Sequence, residues 1–299
     1  MSPVTLGIIL AIAQAILWAN TTIALRSLAS RLDPFLVNSL RGAVGMLIIV
    51  PLVFITGGAG DYRLLSLTRV LYLAVSVALG GVIGDALYVS SLKTLGVTRA
   101  FPITNSYPVF TVLSSALLLG EQITWRMIVG MLLTMIGIYF VARPRGQVLA
   151  SNAPAPTSRQ LIVGVLQGLA TAFLWGVNTV ILAIGLQGIN SIVANSIRVP
   201  VLIVLGLIFS AFRGTIGSVR RLNWPTVRLL IVAGILGWGI GGSLYVTAVQ
   251  LAGPSRTAII GTASPLFAAP LSMFFLHEKP TRSTLIGTVL TVIGIILVV

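Results

Sequence analysis

The chain has 299 residues, of which 57% are apolar and 8% charged, with a mean hydropathy of +1.06; a soluble domain carries about 25% charge, so a water-soluble fold is excluded and a multi-pass helical membrane protein is expected. Nineteen basic against five acidic residues give a net charge of +14, and with so little chain outside apolar segments this favours anionic lipid headgroups as the partner surface over nucleic acid. There is no Cys and one His, His277, which excludes disulfides, zinc and thiolate sites and Cys or His nucleophiles, and no GxxxxGK[ST] run is present for ATP hydrolysis.

Scanning with a window of about 19 residues predicts ten transmembrane helices, near 5–28, 35–56, 69–93, 98–119, 125–142, 161–186, 191–212, 226–250, 255–276 and 283–299. The first lacks a basic n-region and a small-residue cleavage site, so it is not expected to be a cleaved signal. It carries Trp18, with Thr21 and Thr22 three and four residues on, hence on one face. Arg41 stands a few residues inside the second span, shallow enough to snorkel. The third presents Gly81, Asp85 and Tyr88 on one face beside the small pair Gly80/Gly84. Asp85 is the one acidic residue inside a span; it could take up a proton or attract an ammonium group, or serve as a structural partner for Arg41 or Arg198.

The fourth span contains RAFPITNSYPVF, where Pro102 and Pro108 interrupt an apolar run and Asn105 and Ser106 offer hydrogen bonds to the released backbone. Glu121 precedes Thr124 and is expected to help start the fifth span, whose Gly130, Thr134 and Gly137 read as a helix-packing face. The segment 143–160, RPRGQVLASNAPAPTSRQ, has linker composition. Beyond it the sixth span carries Trp175, Asn178 and Thr179, the seventh Arg198, and the eighth Trp238, Gly242 and Tyr245 beside Gly237/Gly241. The ninth has Thr262, Ser264 and Pro265; Glu278 and Thr281 precede the tenth, with Gly287, Thr291 and Gly294 on one face. Trp125 and Trp224 flank loops and fit an interfacial belt. Trp18, Trp175 and Trp238 lie about 12 to 15 residues into their spans, roughly 20 Å deep at 1.5 Å per residue, too deep for a belt. They are either core packing or aromatic walls of a site.

The two halves are repeats at an offset of 157 residues without a gap: Trp18 falls on Trp175, Asn38 on Asn195, Arg41 on Arg198, Tyr88 on Tyr245, Pro108 on Pro265 and Glu121 on Glu278. Of the 63 positions in 79–141, 23 are identical to 236–298. An odd number of spans per half makes the second copy enter from the opposite face. The expected fold is therefore all-α, ten transmembrane helices in two inverted five-helix repeats, 1–142 and 161–299, joined by the linker 143–160 and enclosing a central cavity, as in secondary transporters.

The run ALYVSSLKTLGVTRAFPITNSYPVFTVLSSALLLGEQITW with GMLLTMIGIYFV, matched by SLYVTAVQLAGPSRTAIIGTASPLFAAPLSMFFLHEKPT with GTVLTVIGIILV, resembles the tandem EamA-type repeat of the drug/metabolite transporter superfamily. The resemblance spans nearly the whole chain. It implies a cell-membrane carrier with ten helices and a central cavity, substrate contacts mainly from helices 1, 3, 4, 6, 8 and 9, and export of small metabolites such as amino acids, with uptake or exchange in some relatives.

Together these readings nominate Trp18, Thr21, Asp85, Tyr88, Asn105, Trp175, Asn178, Trp238, Tyr245 and Thr262 as substrate-binding, and Pro108 and Pro265 as hinges. No cofactor or metal is expected, a proton gradient is a candidate coupling source, and one chain suffices for the site. A channel would favour a ring of like charge and an enzyme a cluster of His, Cys or carboxylates; neither pattern is present. Lys and Arg concentrate after the odd-numbered spans, including Arg31, Lys93, Arg143, Arg145, Arg220 and Arg221. That bias places both termini outside, whereas the resemblance implies both inside; we follow the charge.

Overall fold

A computed structural model describes residues 1–29, 31–141, 157–264, 266 and 282–298. Helix is the only regular structure among the described residues, as a chain in hydrocarbon requires, since each backbone polar group must be satisfied within its own segment. The helices are α1 (Pro3–Ala29), α2 (Pro34–Ile55), α3 (Leu67–Leu95), α4 (Val97–Thr104), α5 (Tyr107–Leu119), α6 (Trp125–Val141), α7 (Ser158–Gly185), α8 (Ser191–Phe212), α9 (Trp224–Ala252), α10 (Pro254–Gly261) and α11 (Arg282–Val298). Six of them, α1, α2, α3, α7, α8 and α9, contain stretches long and apolar enough to cross a membrane; α6 and residues 285–298 of α11 are shorter apolar helices. Leu117, Phe212, Leu47 and Phe54 stand more than two-thirds exposed, a surface suited to hydrocarbon and not to water.

Local chemistry sets the ends. Asp33 caps α2 by accepting from the Phe35 N–H at 3.0 Å, and its counterpart Asn190 caps α8 through the Ile192 N–H at 2.8 Å. Asp33 also receives Arg213 at 3.0 Å. Gly96 (φ 73°) and Gly253 (φ 86°), 157 residues apart, make the sharp turns after α3 and α9, a backbone that side chains with a Cβ rarely adopt. Helix α7 begins inside the segment expected to be linker, because Thr157 and Gln160 form a capping box; 142–156 lie outside the described residues. Thr124 caps α6 by accepting from Met127 N–H at 3.3 Å. Glu121 does not take part in that cap as expected: it accepts from Ser115 and, at 2.6 Å, from Ser255 of α10. Glu278 lies outside the described residues.

The predicted fourth span is two helices, broken at Asn105–Ser106. Pro102 does not break it; the break comes three residues later and Pro108 sits in the first turn of α5, where a missing N–H costs least. Asn105 Nδ2 donates to Phe101 O at 2.9 Å and Ser106 Oγ to Ile103 O at 2.7 Å. In the second half α10 ends at Gly261, and Thr262, the counterpart of Asn105, turns its hydroxyl to Ile259 O at 2.6 Å. The hinge expected at Pro265 lies outside the described residues.

Helix α3 is wider than an α-helix over Ala78–Gly84, and α9 over Gly234–Gly241; both are π-helical, at corresponding positions. Buried apolar clusters also correspond: Leu25, Leu32, Val37 and Leu230 pack in one, and Leu182, Ile189, Ala194 and Leu73 in another. Helices α6 and α11 lie against each other through their glycines. A Cβ built on Gly130 or Gly137 would fall 2.6 Å from the carbonyl oxygen of Gly294 or Gly287 respectively.

Candidate functional site: an aromatic cavity between the two halves

Glycine backbones let helices approach, and here they also make room for polar side chains. A Cβ at Gly80 would meet the Asn178 amide carbon at 2.5 Å, one at Gly84 the Trp175 ring at 3.0 Å, and one at Gly237 Arg41 Nη2 at 2.6 Å. Gly80, Gly84 and Gly237, read as packing, therefore pack against Asn178, Trp175 and Arg41. Between α1, α3, α4, α5, α7, α8, α9 and α10 lies a cavity of about 130 Å³.

Eight of the ten nominated residues line it: Trp18, Asp85, Tyr88, Asn105, Trp175, Asn178, Trp238 and Tyr245. Trp175 is the hub, with its ring 5.1 Å from Tyr88, 6.0 Å from Tyr107 and 6.4 Å from Trp18, the last two edge to face. Thr21 and Thr262 do not line the cavity. Both are fully buried and their hydroxyls donate back along their own helices, Thr21 to Trp18 O at 2.9 Å and Thr262 to Ile259 O. Trp125 and Trp224 stand apart at helix starts, 65% and 59% exposed, under Arg126 and Arg228.

Asp85 is buried. Its Oδ1 accepts from Trp175 Nε1 at 3.0 Å and its Oδ2 from Asn38 Nδ2 at 3.4 Å. Asn38 also donates to Gly81 O and accepts from Arg41 Nη1, both at 3.0 Å. Asp85, Asn38 and Arg41 thus form one chain from the cavity wall into the protein, with Trp175 closing it from the other half.

Neither buried arginine snorkels. Arg41 is 1% and Arg198 3% exposed, because helices of the other half cover them: Arg41 Nε donates to Ala233 O at 3.3 Å, and Arg198 Nε to Ser76 Oγ at 3.1 Å. Arg198 Nη2 reaches Asn178 Oδ1 at 3.5 Å, and Arg198 lines the cavity.

Further lining residues were not nominated from the sequence: Gln14, Phe101, Tyr107, Thr179, Arg198 and Ser264 among them. Gln14 and Thr179 were within reach of the helical spacing, four residues from Trp18 and Trp175. Tyr107 was not, since the break at Asn105–Ser106 resets the face. Its hydroxyl donates across the halves to Ala258 O at 2.9 Å, and the Tyr245 hydroxyl lies 2.7 Å from that of Thr179.

Comparison with known proteins places this geometry. An uncharacterized transporter of Archaeoglobus fulgidus is 25% identical over 98% of this chain and 97% of its own length. One from Clostridium kluyveri is 25% identical over 97% and 92%, and Protein LicB of Haemophilus influenzae is 23% identical over 75% and 73%. A crystal structure at 19% identity has the same fold, with a TM-score of 0.75 over 97% of this chain and 95% of the other. The EamA-like transporter family matches residues 5–143 and 162–299. A multi-pass helical membrane protein with a cavity between its halves, matched over nearly its whole length, this chain belongs to the EamA-like transporter family.

Proposed function

We propose that the protein is a secondary transporter in the cell membrane that exports small organic metabolites, amino acids with apolar or aromatic side chains first among them. On this reading it works by alternating access between two inverted five-helix repeats, 1–142 and 161–299, joined by 143–160. The observation that carries the proposal is the cavity in which aromatic walls (Trp18, Tyr88, Trp175, Trp238, Tyr245) converge with the polar groups of Asp85, Asn105 and Asn178. Apolar walls hold a side chain, and a few placed polar groups orient its head; Asp85 is suited to an ammonium group or to a coupling proton. The test is uptake of labelled amino acids and nucleobases by vesicles holding the purified protein, with and without a pH gradient. Saturable uptake of an apolar amino acid that empty vesicles lack supports the reading, and no uptake of any member of the panel under either condition overturns it.

The matched breaks at Asn105–Ser106 and after Gly261 support hinges at the same place in each half. Pro108→Ala supplies a backbone N–H that can reach Thr104 O and join α4 to α5. A bias of only about 1.4 kcal/mol changes the ratio of inward- to outward-open states about tenfold. Cysteines placed along the cavity, in a chain that has none of its own, are expected to change their accessibility from the two sides in that variant, and Pro265→Ala to change it the opposite way. Wild-type accessibility in both variants would make the breaks static.

A further inference from the structure

The two halves differ at one place that matters for a ligand. In the first, Asn38 and Arg41 of α2 serve the carboxylate of Asp85 on α3, with Trp175 of the other half as a second donor. In the second, Asn195 and Arg198 of α8 and Trp18 of the other half occur at the corresponding positions, but the residue that corresponds to Asp85 is Gly242. Asn195 and Arg198 are kept and the carboxylate is gone.

The consequence is visible in the hydrogen bonding. Asn195 is fully buried, and neither its Oδ1 nor its Nδ2 has a partner among the described residues. A buried amide atom left without a partner bears its full desolvation cost, so two such atoms on one side chain ask for a ligand. Arg198 bonds only to the neutral groups of Ser76 and Asn178 among the described residues. Gly242 and Arg198 line the cavity, and a Cβ built on Gly242 would lie 3.6 Å from Asn195 Nδ2, 3.5 Å from Gly237 O and 3.8 Å from the Trp238 ring, all ordinary contacts, so a side-chain-sized group fits there beside Asn195.

We propose that the cavity beside Gly242 is an anion site, in which a carboxylate of the transported molecule takes the place that Asp85 fills in the other half, donated to by Asn195 Nδ2 and facing the Arg198 guanidinium. A guanidinium with an amide beside it is a fitting receptor for a planar monocarboxylate. With Asp85 across the same cavity, the substrate class becomes molecules bearing a carboxylate at one end and a cationic or donor group at the other. This inference rests on the transporter reading for its biological meaning but not for its test.

The test uses the whole protein in detergent and reads its melting temperature with sodium formate as the probe, against sodium chloride at the same ionic strength. Formate is expected to raise the melting temperature of the wild type in a dose-dependent way beyond chloride. Asn195→Ala, which removes no hydrogen bond among the described residues, is expected to lose most of that response. Gly242→Asp supplies the missing carboxylate from the chain itself. It is expected to melt several degrees above Gly242→Asn and to ignore formate. Formate acting no better than chloride on the wild type, or Gly242→Asp melting below Gly242→Asn as a buried unpaired charge would, overturns the anion site. Because no transport is measured, the site can fail while vesicle uptake succeeds, and uptake can fail while the formate response stands.

Discussion

Asp85→Asn is expected to abolish accumulation of substrate against its gradient in vesicles while leaving exchange or downhill flux measurable. The substitution keeps shape but changes what the side chain offers. The carboxylate accepts from two donors, Trp175 Nε1 and Asn38 Nδ2; an amide has one acceptor and one donor end and can serve only one of them. Asn38 could turn its amide over to compensate, but its Oδ1 would then leave Arg41 Nη1. The frustration therefore travels to a fully buried guanidinium whose Nη2 already has no partner among the described residues. Stripping a buried cation of its counter-charge costs about 3–5 kcal/mol in comparable cases, so the variant should also melt well below the wild type. The two readouts separate the roles. A lowered melting temperature with pH-gradient-driven accumulation intact would make Asp85 a structural counter-charge and remove it from coupling.

Gly137→Val is expected to be among the most destabilising single changes in the chain, without touching the cavity. A Cβ at Gly137 would fall 2.6 Å from Gly287 O and 2.7 Å from Thr291 N, both backbone atoms of the facing helix. Backbone cannot rotate aside, so α6 and α11 must part. Parting them also opens the Gly130–Gly294 contact, and the packing of Val112, Met131, Ile259 and Val298 beside it. Overpacking a tight interface costs about 1–3 kcal/mol, and in a membrane, where helices associate by close fit and not by escape from water, little else holds this pair. Gly60→Ala is the control: nothing lies within 4 Å of its added Cβ, and a change within about 0.5 kcal/mol is expected there. Equal melting of the two variants would show that the helix pair tolerates separation.

How much of this was legible in the sequence follows from which residues kept their helical phase. Spans such as α1, α2, α7 and α8 are long, apolar and uninterrupted, so their limits and the inward faces carrying Trp18, Trp175 and Asn178 could be read from spacing alone. The repeat at 157 residues doubled each signal. Depth was read less well: counted from its helix end, Arg41 looked able to reach the surface, but that count is blind to the neighbouring helices that cover it. Thr21 and Thr262 shared the spacing of site residues, yet a threonine in a helix can satisfy its hydroxyl on its own backbone, and both do. Tyr107 was hidden for a different reason, since it follows the break at Asn105–Ser106, which comes three residues after Pro102 and resets the helical phase.

The π-helical stretches carry a consequence for how such a cavity can change over evolutionary time. Each wide turn holds one residue more than an α turn would, and each residue in an α-helix is worth about 100° of rotation. The stretch Ala78–Gly84 therefore absorbs one extra residue between the half of α3 that begins at Leu67 and the half that carries Asp85 and Tyr88. Deleting one residue there, Val82 for instance, would return the helix to regular winding and leave Asp85 and Tyr88 facing Trp175. The same deletion in a regular turn of α3 would swing both side chains by about 100°. The wide turns are thus the places where the chain can gain or lose a codon without exchanging the lining face, and Gly234–Gly241 offers the same tolerance independently on the opposite wall.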